Sequence, residues 1–260
     1  MMSDATNFVL RLAVDARDLR AAQHLRYQVF VQELGAVGPG IDHAAQLEQD
    51  RYDAHFDHLL LIDTRRDADV LQDVVGVYRL LSSDKALIAG GFYSEAEFDL
   101  SMLKSSGRKL LELGRSCVHP DYRGGAAMFH LWNGLAEYVI ERQIEVLFGA
   151  ASFHGTDVAA LRQSLAYLHH HHLAPPALRV HAKGPERIAC DLLTPDQLDR
   201  RAAMAATPAL IKAYLRLGGY VGEGAWVDHA FNTTDVCLVV DTARMSERHR
   251  DFYTRKVGRA

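Results

Sequence analysis

Glu112 and Arg115 stand three residues apart in "LELGRSCV" (111–118), a run whose Leu, Gly, Cys and Val suit a buried strand. Hiding a charge there is costly unless it is paired or used. Arg79 raises the same question in "VVGVYRLL" (74–81), where it shares a strand face with Val75, Val77 and Leu81. A carboxylate can take a proton from an attacking amine, directly or through water. Guanidinium groups can orient a substrate carboxylate or hold acids in place. Gly114 lies between Glu112 and Arg115, and a strand glycine often marks a bulge, which would swing Arg115 to the side of Glu112 and free backbone N–H groups. Such groups can polarise a carbonyl and hold a developing oxyanion. The competing reading is an ion pair across the sheet.

Three further sets of residues fit group-transfer chemistry. Arg26 and Phe30 lie four apart on one face of an amphipathic segment, and Asp50 and Asp53 lie three apart in "LEQDRYDAHFD" (47–57). "HPDYRGGAAMFHLW" (119–132) then leads from the Glu112 strand into a helical pattern. There Val118, Arg123, Gly124, Gly125 and Ala126 frame a glycine turn whose following helix N-terminus can accept an anion such as a phosphate. Solvated rims and loop acids are the plainer explanation for the first two sets. The "HHHH" at 169–172 lies inside a helical segment, where consecutive residues face different sides, so no metal site is expected.

The elements that must position these residues follow from periodicity and breakers. Strands are expected over 8–14, 58–63, 74–81, 110–118 and 145–153, with two more near 220–228 and 233–241. Helices are expected through "LRAAQHLRYQVFVQEL" (19–34), "SEAEFDL" (94–100), 127–143, "TDVAALRQSLAYLHHHH" (156–172) and "PALIKAYLRL" (208–217), with a short basic one at the C-terminus. The order implies one α/β domain over 1–260, with insertions near 84–107 and 173–216. Its central sheet is mixed and mostly antiparallel, with helices on both faces.

Composition narrows the function classes. An apolar fraction of 48% and a charged fraction of 24% are those of a soluble globular protein. A net charge of -4 argues against a nucleic-acid partner. Cys117, Cys190 and Cys237 lack metal-ligand spacing and suit buried thiols in a reducing compartment, and no run approaches a membrane span. A cytoplasmic protein is expected.

Taken together the motifs resemble a family. "V-H-P-D-Y-R-G-G" (118–125) resembles the acyl-donor loop of GNAT-fold N-acyltransferases. Arg26-x-x-x-Phe30, Asp50, Asp53, Arg79 and Glu112-x-x-Arg115 resemble the signature of acyl-homoserine-lactone synthases, GNAT-like enzymes that use acyl carrier protein. Length and "LIKAYLRLGGYVGEGAWVDHAFNTTDVCLVV" (210–240) are closer to the ornithine-lipid-forming, hemolysin-like N-acyltransferases. The resemblance spans residues 8–253 and is strongest at 26–30, 110–125 and 207–240.

It implies transfer of a fatty acyl group, 3-hydroxylated or not, from acyl carrier protein to the α-amine of ornithine, giving lyso-ornithine lipid. The GNAT loop reads Arg/Gln-x-x-Gly-x-Gly/Ala, and Ala126 and Met128 stand here where glycines would fall, which weakens the acyl-coenzyme A version. In the implied site Glu112 is the base, with Arg79 and Arg115 catalytic beside it. Tyr167 protonates the leaving thiolate, Arg26, Phe30, Asp50 and Asp53 bind the acceptor, and Val118 through Ala126 meet the donor. No metal or redox cofactor is implied, the acyl thioester being a substrate. The partners are acyl carrier protein, an amino acid and the inner face of a membrane. An acyl-homoserine-lactone-type or other N-acyl amino acid synthase, and a non-catalytic GNAT-shaped binding protein, are the alternatives.

Overall fold

The computed structural model describes residues 7–244, which gather into two compact units, 7–90 with 113–143 and 91–112 with 144–244. The expected basic C-terminal helix lies outside the described residues.

The first unit is built on β1 (Phe8–Leu12), β2 (Asp57–Asp63), β3 (Val74–Ser82) and the later part of β4 (Leu110–Val118), side by side in that order. β1 and β2 pair antiparallel, as do β2 and β3. All nine residues of β3 are buried, which places Arg79 in the interior. Helix α1 (Ala16–Arg26) starts at Asp15, whose carboxylate accepts the Asp18 N–H at 2.8 Å and so caps the helix. The apolar face of α1 (Ala21, Ala22, Leu25) continues through Val29 onto Leu60, Ile62, Val74, Val77 and Cys117. The single helix expected over 19–34 is a different object. The chain widens into a π-helical stretch from Tyr27 to Glu33, so Arg26 and Phe30 are not stacked on one α-helical face.

Helix α2 (Ser83–Ala89) ends on Gly90 in the left-handed region, φ 82°. Helix α4 (Ala127–Arg142) packs on the strands through Gly134. A Cβ there would stand 2.6 Å from Leu10 Cδ2 and 3.2 Å from Leu59 Cδ1, so any larger residue would have to displace these leucines.

In the second unit the opening of β4, Leu110–Glu112, pairs parallel with β5 (Val146–His154). β5 pairs antiparallel along its whole length with β7 (Thr233–Asp241), which also pairs with β6 (Ala225–Asp228). The sheet is therefore mixed and mostly antiparallel, as expected. Helix α5 (Val158–His172) is capped by Asp157 and carries the four histidines in its last turn. His170 Nε2 donates to the Leu193 carbonyl at 2.8 Å. His171 and His172 lie against the Tyr167 ring, with centroids 4.6 and 5.7 Å away.

Two expectations need correction in this unit. "SEAEFDL" does not form a helix. Tyr93–Ala96 make a 3-10 turn, Phe98–Asp99 pair with His181–Ala182, and the short helix α3 (Ser101–Ser105) follows. The stretch 173–216 is less irregular than its prolines suggest, since α6 (Arg200–Ala206) precedes the expected α7 (Ala209–Arg216). Asp199 caps α6 by accepting the Ala202 N–H at 3.0 Å.

Candidate active site

In the first unit the arginines and acids singled out in sequence meet in one buried ionic cluster. Arg26, at the end of α1, is fully buried. Its Nε donates to Glu48 Oε2 at 2.5 Å, and its two Nη atoms reach the two oxygens of Asp53 at 2.7 and 3.2 Å. This paired geometry is the strongest a guanidinium and a carboxylate can form. Arg79, also fully buried, donates from Nη1 to Asp50 Oδ2 at 2.7 Å and to Asp53 Oδ1 at 2.8 Å. Its guanidinium lies 4.3 Å from the centre of the Phe56 ring. Arg115 completes the set, with Nε 3.3 Å from Glu48 Oε1 and Nη2 3.8 Å from Asp50 Oδ2.

Three guanidinium groups thus meet three carboxylates, and their formal charges cancel. Burial by itself disfavours the ionised forms, but the arginines outweigh it. Asp53 is held well below the usual carboxylate range by Arg26 first and Arg79 second. Glu48 is lowered in the same way, against its burial, by Arg26 and then Arg115. The Arg26 guanidinium, despite its own burial, is raised by Glu48 and Asp53.

Within the acid pair the two members differ. Asp53 also accepts Gln23 Nε2 at 2.9 Å and the Asp50 N–H at 3.3 Å, so both its oxygens are engaged inside the protein. Asp50 keeps 19% of its side chain exposed and is the acid of the pair that reaches solvent. Phe30 is partly buried and packs on the α1 core. Glu48, which joins Arg26 to Arg115, was not singled out by sequence.

Arg115 has φ 48°, in the left-handed region that residues other than glycine rarely adopt. This is the backbone irregularity that Gly114 advertised, displaced by one residue. Beyond it, the Val118 carbonyl accepts Arg123 Nε at 3.0 Å. Arg123 Nη1 and Nη2 both reach Glu33, at 2.5 and 2.7 Å, an ion pair that lowers Glu33 and raises Arg123. Gly124 takes φ 75°, and Ala126 begins α4 without a side-chain cap. The amides of that first helical turn therefore have no side-chain cap.

In the second unit Glu112 is 1% exposed. Its Oε1 accepts the Ser94 N–H at 2.7 Å and Ser94 Oγ at 2.5 Å, and its Oε2 accepts the Tyr93 N–H at 2.7 Å. These donors hold the start of the Tyr93–Ala96 turn, and the ladder of Phe98–Asp99 with His181–Ala182 takes the rest of "SEAEFDL" out of helix. Tyr167 is buried in α5 beside the histidine rings.

Comparison with known proteins places the chain in a family. Residues 25–133 match the acetyltransferase (GNAT) domain family. The chain is 61% identical over 257 residues to the L-ornithine Nα-acyltransferase of Rhodobacter capsulatus, covering 99% of this chain and 98% of that protein. The chain belongs to this acyltransferase family. The Brucella abortus L-ornithine Nα-acyltransferase is 40% identical over 252 residues, covering 96% of this chain and 90% of its own. Among solved structures, FeeM, an N-acyl amino acid synthase from uncultured soil microbes, shares the fold. Its TM-score is 0.51 at 12% identity, covering 91% of this chain and 92% of that one. In this L-ornithine Nα-acyltransferase-family chain, the residues read from sequence form an ionic cluster, a glycine turn and a clamped carboxylate.

Proposed function

We propose that the chain transfers a long, 3-hydroxylated acyl group from acyl carrier protein to the α-amine of ornithine, releasing lyso-ornithine lipid. The observation that carries this reading is 61% identity over nearly the whole length of an L-ornithine Nα-acyltransferase. In the reaction the amine nitrogen attacks the thioester carbonyl, a C–N bond forms and the C–S bond breaks. One proton leaves the nitrogen and one returns to the departing thiolate.

Glu112 receives the first of these protons through water. Its three donors fix the carboxylate's orientation, and proton transfer demands that geometry before anything else. The amides near Arg115 and Val118 stabilise the oxyanion. Arg26 and Arg79 hold the acid cluster rigid, and Asp50, its most exposed acid, meets the acceptor's cationic end. The α4 N-terminal amides and Arg123 meet the phosphopantetheine phosphate. Tyr167 is the assigned donor to the thiolate.

The product is amphipathic, so the enzyme works at the cytoplasmic face of a membrane. Among the described residues no helix is long and apolar enough to cross one.

Incubation with 3-hydroxyacyl-acyl carrier protein and a mixture of amino acids, followed by mass spectrometry, tests the reading. An acyl-ornithine product, made at least tenfold slower from acyl-coenzyme A, is expected. Equal turnover with acyl-coenzyme A would overturn the donor, and a different acyl-amino acid would overturn the acceptor.

A further inference from the structure

The second unit carries an acidic group that the reaction does not use. One carboxylate oxygen from each of Glu97, Asp228 and Asp235 lies within 4.8 Å of the other two, and all three residues are buried. Carboxylates so close repel one another, most strongly out of water, so a positive charge among them is favourable. Acids alone would not define a ligand. A fourth residue does.

Thr233 is 8% exposed, and its Oγ1 is buried without a hydrogen-bond partner. A buried hydroxyl left in that state costs free energy unless something uses its lone pairs. Strand register puts it with the acids. Thr233 on β7 is the direct partner of Asp228 on β6, and Asp235 follows two residues later on the same strand. Opposed residues of an antiparallel pair share a face, and so do residues i and i+2. Asp228, Thr233 and Asp235 therefore project from one face of the sheet. Asp228 is held in place because its Oδ1 accepts the amides of Ala230 and Phe231 at 2.8 and 2.9 Å.

The donor set decides the kind of cation. An ion with oxygen ligands at 2.3–2.6 Å spans atoms up to about 5 Å apart, and one at 2.0–2.1 Å spans about 4.2 Å. Carboxylate and hydroxyl oxygens are the donors that hard divalent cations take.

We propose that Glu97, Asp228, Asp235 and Thr233 bind one hard divalent cation, Mg2+ or Ca2+, as a structural site. The ion ties the 91–99 segment to the β6–β7 hairpin. Because Glu97 follows three residues after Ser94, the ion also steadies the amides that clamp Glu112. The sequence hides the site, since Glu97 is more than a hundred residues from its partners.

The test is titration of the full-length protein, stripped with chelator, with MgCl2 and with CaCl2, followed by calorimetry and by thermal unfolding. One ion per chain and a higher unfolding temperature are expected with at least one of the two salts. Which salt acts at lower concentration identifies the ion. Asp235→Asn and Thr233→Val should each weaken binding at least tenfold. Thr233→Val keeps the side-chain shape, so it reads the hydroxyl even if the acidic variant folds poorly. No binding heat and no thermal shift at millimolar Mg2+ and Ca2+ would overturn the site. Undiminished binding by both variants would place the ion elsewhere and overturn it equally.

Discussion

The two units bury acidic groups in different ways. In the first, Glu48, Asp50 and Asp53 are met by Arg26, Arg79 and Arg115, and the charges cancel within the protein. In the second, Glu97, Asp228 and Asp235 gather beside a threonine hydroxyl on a sheet face. A self-neutralised cluster is fixed by its own side chains and depends on all of them. A cluster of like charges depends on what enters it. The first suits a scaffold that must hold a backbone in an unusual conformation at Arg115, and the second suits a site that is completed from outside.

Substitution separates the two. Asp53→Asn takes one carboxylate charge from two buried guanidinium groups and should cost about 3–5 kcal/mol, read as a lower urea midpoint. Asp235→Asn removes one of three mutually repelling charges, so the chelated protein should be no less stable than its parent. Equal losses in both variants would erase the distinction between the clusters.

Acid titration sharpens it. Asp53 and Glu48 titrate lower in the folded chain than in the unfolded one, so each contributes stability that is present above its unfolded pKa and lost as the pH falls through its folded one. The first cluster should therefore be fully stabilising above ~pH 5 and weaken progressively below ~pH 4, from unfolded values near 3.9 and 4.3. Unfolding midpoints measured from pH 7 to 3 should fall steeply for the parent and less steeply for Asp53→Asn. Parallel curves would contradict the pairing.

Arg123→Ala removes an ion pair whose partners are about 40% exposed, so its stability cost should stay below about 1 kcal/mol. The KM for the acyl donor should rise severalfold with kcat little changed. A kcat loss without a KM change would remove Arg123 from the donor turn.

The smallest expected effect is at the cysteines. Burial pushes the Cys117 and Cys190 thiols up to about 12, and Cys237 higher still, so none should react with a thiol reagent in the folded protein. Fast labelling of any of them would show that its unit opens.

Much of this was legible in sequence for a physical reason. Arg79 in an apolar strand advertises a partner, whereas Arg26, Asp50 and Asp53 read more plainly as solvated, and the burial of Arg26 and Asp53 overturns that reading. Gly114 marked the irregular backbone correctly to within one residue. Glu48 stayed hidden because it sits in a two-residue ladder with no periodicity. The π-helical widening at Tyr27–Glu33 left no mark either, since its residues suit an α-helix as well. "SEAEFDL" misleads because local propensity favours helix, whereas Phe98 and Asp99 pair with His181 and Ala182, distant in sequence. The acids around Thr233 are illegible because strand register sets Asp228 and Asp235 on one face and Glu97 joins them from more than a hundred residues away.

The most direct test of the proposed chemistry is the single-turnover rate of Glu112→Gln with 3-hydroxyacyl-acyl carrier protein and ornithine, alongside its circular dichroism. Glutamine keeps one acceptor oxygen for the two Ser94 donors, turns its NH2 toward the Tyr93 N–H, and cannot take a proton. A native spectrum with a rate lowered about 10²–10⁴-fold is the predicted result. A native spectrum with an unchanged rate would mean that Glu112 only anchors the 93–96 turn and that another group takes the proton.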